Sequence, residues 1–124
     1  METKNKETGL LGESMAAKFL EQNGFRVISQ NWQYRQWELD LVVQKEDLLV
    51  FVEVKTMDRS FDLSPGQKIG KSKYAALGKA ADAWLSQHPF EGQIRFDLIY
   101  VLLQAFPPEI QHYCDIWYPN NWGR

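Results

Sequence analysis

The chain has little of several things, and each shortage narrows what it does. Among 124 residues there is one cysteine, Cys114, so no disulfide forms within the chain. The apolar stretch around it predicts a small buried hydrophobe rather than a catalytic thiol. Neither histidine has a partner at metal-ligand spacing: His88 precedes Pro89 at a helix end, and His112 alternates with Ile110 and Cys114, so both are expected to be structural. No apolar run approaches the roughly 18 residues that a membrane span needs. The first ten residues, METKNKETGL, lack the apolar stretch of a secretion signal, so a cytoplasmic protein without a membrane partner is expected. Net charge is −2, and any contact with nucleic acid must therefore rest on a local basic patch. Internal repeats, single-sign tracts and low-complexity segments are missing. GQKIGKS, residues 66–72, falls one residue short of a P-loop, since only Gln67, Lys68 and Ile69 separate the first glycine from the Gly-Lys pair.

What is present is the balance of a folded domain, with 44% apolar and 24% charged residues. The length suits one domain over residues 1–124, with flexible ends expected at 1–7 and 119–124. Residues 8–23 place Leu11, Met15, Ala16, Phe19 and Leu20 at helical spacing, and Gly24 stands where a left-handed cap belongs. Strands are predicted at 25–32, 37–44 and 48–56, each rich in β-branched, aromatic or alternating apolar residues. Residues 61–70 read as a loop. A second helix is predicted over 71–87, with Tyr74, Leu77, Ala81, Trp84 and Leu85 on one face and Pro89 beyond its end. Strands at 94–103 and 110–117 flank the turn AFPPE, which gives an α/β order of α-β-β-β-α-β-β.

The stretch VFVEVKT, residues 51–57, sets an acid and a base two apart inside an apolar strand. Pairing residues 37–44 with 48–56 around Glu46 and Asp47 puts Asp40 opposite Glu53 and Glu38 opposite Lys55, all on one face. Val42, Leu49 and Phe51 continue that face, and Leu39, Leu41, Val43, Val50, Val52 and Val54 fall on the other. Apolar residues on both faces predict a sheet covered on both sides. Two opposed carboxylates at about 4 Å repel by roughly 4 kcal/mol at an effective dielectric near 20, so a proton, a lysine or a divalent cation must offset them. Carboxylate oxygens with a carbonyl and waters suit Mg²⁺, and an adjacent lysine suits metal-assisted phosphodiester hydrolysis. The plain alternative is a solvated strand face on which acid and base only pair with neighbours.

Asp40, twelve intervening residues, then Glu53-Val54-Lys55 on a hairpin after one helix resembles the PD-(D/E)XK nuclease motif. More closely, GLLGESMAAKFLEQNGFRVISQNW, then ELDLVV, LLVFVEVKT and RFDLIYV, in that order over residues 9–103, resemble the YraN-like family of bacterial proteins, related to archaeal Holliday-junction resolvases. The resemblance implies a restriction-endonuclease-like fold, a mixed sheet flanked by helices. It also implies a Mg²⁺- or Mn²⁺-dependent endonuclease acting on DNA, branched DNA included. Asp40 and Glu53 would hold the metal with the Val54 carbonyl, and Lys55 would act on the attacking water. Glu13 corresponds to an acid that related resolvases carry on their first helix, here on the face of Ala16, Ala17 and Leu20. The chain departs from the family's usual pattern at Trp37, where glycine is common, and at Met57, where a basic residue is common.

Lys68, Lys71, Lys73 and Lys79 gather around the start of the second helix and form the candidate phosphate contacts, against the alternative of a solvated face. Glu38 and Asp97 are candidates for supporting the site, Asp97 either through its neighbours or as an ordinary partner of Arg95. Trp117, Tyr118 and Trp122 read as core residues, with self-association as the other use. A homodimer suits a two-fold symmetric junction by analogy. A nucleic-acid-binding or assembly protein that keeps the fold but does not cut is the alternative function.

Overall fold

Among the described residues, two helices and five strands follow in the order α1 (Lys6–Gln22), β1 (Arg26–Tyr34), β2 (Trp37–Lys45), β3 (Leu48–Met57), α2 (Lys71–Gln87), β4 (Gln93–Leu102) and β5 (Glu109–Tyr113), with a short 3-10 turn at Asn120–Trp122. This is a computed structural model, and it describes residues 6–57 and 71–122. The strands form one sheet in the order β1-β2-β3-β4-β5. Only β3 and β4 run parallel, and α2 lies in the connection between them, as a parallel crossover requires.

Each helix stops for a local reason. At the end of α1, Gly24 adopts a φ of 93°, its N–H donates to the Glu21 carbonyl, and the Phe25 N–H reaches back to Leu20 at 3.0 Å. That is a Schellman cap, which depends on a residue without a Cβ penalty in the left-handed region. Beyond α2 the His88 N–H still bonds the Trp84 carbonyl at 2.8 Å, and Pro89 then ends the series.

The helices cover opposite faces of the sheet. Ala16, Ala17 and Leu20 of α1 pack on Leu41, Val43, Val50, Val52, Val54, Ile99 and Val101. Leu77, Ala80, Ala81 and Trp84 of α2 pack on Leu39, Val42, Leu49, Phe51 and Phe96. Phe51 stands edge-on to Trp84 at 5.7 Å and stacked on Phe96 at 5.3 Å. Burial of each such side chain contributes roughly 1.5–3 kcal/mol, and the two layers fix the height of both helices over β2 and β3. Small residues bring α1 closest: Gly12 is buried, and a Cβ there would run into the side chain of Thr56.

The hairpin register follows the expected one, from Lys45 opposite Leu48 to Leu41 opposite Val52, around a two-residue turn at Glu46 and Asp47. Glu46 takes the left-handed φ of 57° that the turn needs. One side chain departs from simple alternation: Leu39 packs with the α2-side cluster instead of beside Leu41 and Val43. The cause is a local break. Asn31 has a φ of 54° and, like Asp40, is skipped in the β1–β2 pairing, so the strand rotates there.

Three expectations about the C-terminal part are corrected. The last strand ends at Tyr113, because Asp115 turns into the left-handed region at φ 55° and the Ile116 N–H bonds back to Phe96. Cys114 therefore lies beyond the strand and is exposed, not buried in the core. Where a flexible end was expected, Pro119 is buried and the Trp122 indole donates to Asp82 on α2 at 2.9 Å, with Asn120 and Asn121 exposed between them. Trp117, Tyr118 and Trp122 surround Phe96 and extend the α2-side core.

Candidate metal and nuclease site

The acidic residues meet where β2 and β3 part. Leu41 and Val52 form the last ladder pair, so the next backbone groups lack a cross-strand partner. Asp40 fills that gap: its Oδ2 accepts the Val54 N–H at 2.8 Å. The carboxylate thus lies in the plane of the sheet, held by the strand that carries the second acid.

Glu13 approaches Asp40 from α1, close enough for the two carboxyls to share a proton, and Asn31, with its left-handed φ, lies beside them. Burial, then the charge of Asp40, push the Glu13 carboxyl up to about 8. Its Oε1 is buried with no hydrogen-bond partner. Such an orphaned oxygen costs about 1–3 kcal/mol unless a ligand or proton satisfies it.

Glu53 approaches from the other side. It shares the α2 face of β3 with Phe51, is 6% exposed, and its Oε2 lies 3.2 Å from Lys73 Nζ. Burial and then Asp40 raise its carboxyl to about 7, and the pull of Lys73 only partly offsets them. Asp40 is also raised, chiefly by burial, against the stabilising Val54 N–H and the charge of Lys73. At Lys73 burial works downward, but the charge and hydrogen bond of Glu53 outweigh it and the ammonium is held above its ordinary range. Asp40 is the common neighbour: both glutamates feel its charge, one from each face of the sheet.

Glu38 is exposed and lines a cleft of about 90 Å³ with Gln36, Glu53, Lys73, Ala76 and Leu77. Its charge acts on Glu13, Asp40 and Lys73. Lys55 is partly buried, lies two residues beyond Glu53 on the same strand face, and its charge lowers Glu53 a little. The paired quartet expected on one face does not form: the ladder stops at Leu41–Val52, the Asp40 carboxylate turns to the Val54 N–H, and Glu13 and Lys73 join the cluster around it. Trp37 opens β2 with its ring packed on the α2-side core and stacked on Tyr34 at 6.4 Å.

Other expected residues stand elsewhere. Asp97 belongs to a separate cluster on β4 and β5 and bonds Arg95, His112 and the Asp115 N–H. Lys68 lies outside the described residues, as does the side chain of Lys71. Lys79 is exposed on α2. Sequence reasoning assigned Lys73 to phosphate contacts and missed that it binds Glu53. Its position near the start of α2, with Leu77 four residues on and buried against the sheet, was the available signal. Asn31 carried no signal in a strand-like run.

Fold and site define a mixed α/β protein with an acidic cleft built on a β-hairpin and closed by a helix on each face. Residues 12–101 match the group described as uncharacterised protein family UPF0102. A UPF0102 protein of Syntrophomonas wolfei is 38% identical over 109 residues, which cover 87% of this chain and 95% of that one. One from Pelobacter propionicus is 42% identical over 104 residues, covering 81% and 74%. Another from Beutenbergia cavernae is 38% identical over 106 residues, covering 84% and 90%. The chain belongs to UPF0102, the YraN-like family.

Proposed function

We propose that the protein is a Mg²⁺- or Mn²⁺-dependent endonuclease of restriction-endonuclease-like fold that hydrolyses DNA phosphodiester bonds, with branched DNA as the candidate substrate. The observation that carries this reading is the pair of glutamates raised to about 8 and about 7 around one shared aspartate. A structural salt-bridge cluster would hold its acids below their ordinary range, whereas here burial has gathered more negative charge than Lys73 neutralises.

The donors fit a hard divalent cation. All are oxygens, Asp40 is already oriented by the Val54 N–H, and Glu13 Oε1 is buried without a partner. Asp40, Glu53 and the Val54 carbonyl are the proposed ligands, with Glu13 beside Asp40. A bound ion would supply Lewis-acid stabilisation of charge on the phosphate and a water of lowered pKa. The chain's own residues do the rest. The Val54 N–H fixes the Asp40 carboxylate, Lys55 would hold and orient the attacking water, and Lys73, 3.2 Å from Glu53, would be the cation available to a phosphate beside the cleft.

The test is incubation of wild type, Asp40→Ala and Lys55→Met with linear duplex and four-way-junction DNA in Mg²⁺ or Mn²⁺. Cleavage by wild type and loss in both variants is the expected result. Binding without cleavage would instead establish the second reading, a non-cleaving nucleic-acid-binding or assembly protein. What favours that reading is the ion pair of Lys73 with Glu53, which partly neutralises the site without a metal.

A further inference from the structure

β4 and the end of β5 gather chemistry that the acidic cleft does not use. Asp97 is 0% exposed, and both of its oxygens are occupied. Oδ1 accepts from Arg95 Nε and from the Asp115 N–H, each at 2.9 Å; Oδ2 accepts from Arg95 Nη2 at 2.9 Å and lies 2.8 Å from His112 Nε2. An ionised carboxylate only accepts, so His112 turns its Nε2–H toward it. Cys114 is exposed, with Sγ 3.7 Å from that same nitrogen and 3.6 Å from Arg95 Nη2. One oxygen, one imidazole nitrogen and one sulfur, from Asp97, His112 and Cys114, therefore lie within 4.8 Å of one another.

We propose that Asp97, His112 and Cys114 form a binding site for a thiolate-seeking divalent cation of the zinc class, with its fourth position open to solvent beside Cys114. A thiol hydrolase is excluded by the same geometry. One nitrogen faces both the acid and the sulfur, so the imidazole cannot relay a proton between them. Burial and the charge of Asp97 also push the thiol upward, the wrong direction for a nucleophile.

A tetrahedral ion with bonds of about 2.0–2.3 Å keeps its ligand atoms roughly 3.4–3.7 Å apart. The sulfur–nitrogen separation already fits; the His112–Asp97 contact opens by roughly 0.6 Å as the ion replaces the bridging proton. His112 is steadied by an edge contact with Phe19 at 5.9 Å, and Asp97 keeps its bonds to Arg95 and Asp115, the outer support that ligating carboxylates usually have. Binding releases the thiol proton, while the proton on His112 Nε2 moves to Nδ1 as the ion takes Nε2, with no change of oxidation state. The Arg95 guanidinium repels any cation placed here. That restricts the site to ions that bind thiolate and imidazole strongly, and it sets the site apart from the all-oxygen cleft around Asp40.

Cobalt(II) titration, followed by displacement with Zn²⁺, tests this in wild type, Cys114→Ser, His112→Gln and Asp40→Asn. In both wild type and Asp40→Asn an intense sulfur-to-cobalt charge-transfer band should saturate at about one equivalent bound at this site and be removed by Zn²⁺, and affinity should rise at least tenfold from about pH 6 to 8. Cys114→Ser, at an exposed position that preserves the fold, should lose the band, and His112→Gln should weaken binding by about 10–100-fold. The proposal is overturned if wild type shows no band at about 1 mM cobalt, a concentration far above any Kd expected of such a ligand set, if the band survives in Cys114→Ser, or if folded His112→Gln binds cobalt as tightly as wild type.

Discussion

Without a divalent cation, the charge gathered at the β2–β3 fork should make the protein less stable as pH rises from mildly acidic to neutral. Glu53 is 6% exposed, and its carboxyl is lifted from 4.5 to about 7 by burial and by Asp40. At 1.36 kcal/mol per tenfold change in proton affinity, folding with Glu53 charged costs roughly 3 kcal/mol relative to folding with it protonated. In the unfolded chain this group titrates near its ordinary value. Between about pH 4.5 and 7 the folded state thus keeps a proton that the unfolded state has released, and stability falls across that window. Below it the penalty vanishes; above it the penalty is complete. Glu13, raised to about 8, extends the decline upward, whereas Asp97, held below its ordinary range, loses its contribution only at more acidic pH. Glu53→Gln removes the titration, and the roughly 3 kcal/mol already includes the offsetting pull of Lys73. In chelator, urea unfolding near pH 7.5 should therefore find the variant more stable than wild type by about 3 kcal/mol, with most of the difference gone near pH 5. Saturating Mg²⁺ should flatten the wild-type profile. Parallel pH profiles for wild type and Glu53→Gln would refute the account of burial and repulsion.

Other perturbations probe separate links. Gly12→Ala should destabilise by about 1–3 kcal/mol because its Cβ meets Thr56, and Thr56→Ala in the same chain should recover part of the loss, both read by urea unfolding. Ser29→Ala strands the Trp84 indole N–H, whose bond to Ser29 Oγ is 2.9 Å, and should cost about 1–2 kcal/mol with a change in tryptophan fluorescence. Asp97→Ala leaves Arg95 and His112 without their buried partner and should cost about 3–5 kcal/mol by thermal or urea unfolding. Lys55→Met should lower cleavage by about 10²–10⁴-fold while Mn²⁺ binding stays within twofold of wild type.

The β2–β3 hairpin was legible because a slip of one residue would turn Val43, Val50 and Val52 away from α1, and this pins the register from Lys45–Leu48 to Leu41–Val52. Both helices were legible from apolar spacing and from Gly24 and Pro89 at their ends. The fork itself was not. It depends on Asn31 entering the left-handed region, a backbone choice that no residue pattern in 25–32 announces, and it moves Leu39 to the α2 side. Lys73 reaches Glu53 only because α2 lies over that face of β3, a tertiary fact. The exposure of Cys114 has a similar origin: the strand ends one residue earlier, where Asp115 and Ile116 turn back to bond Asp97 and Phe96. Local patterns carry periodicity and caps; they do not carry where a strand peels away from its neighbour.

Calorimetric titration of Mg²⁺ and Mn²⁺ into wild type, Asp40→Ala and Glu53→Ala, in one buffer at one ionic strength, tests the central claim most directly. Saturable binding in wild type, accompanied by release of the protons that Glu13 and Glu53 hold near neutrality and abolished in both variants, is the predicted result. Binding that is unchanged in Asp40→Ala, or no binding by wild type at millimolar cation, would contradict it.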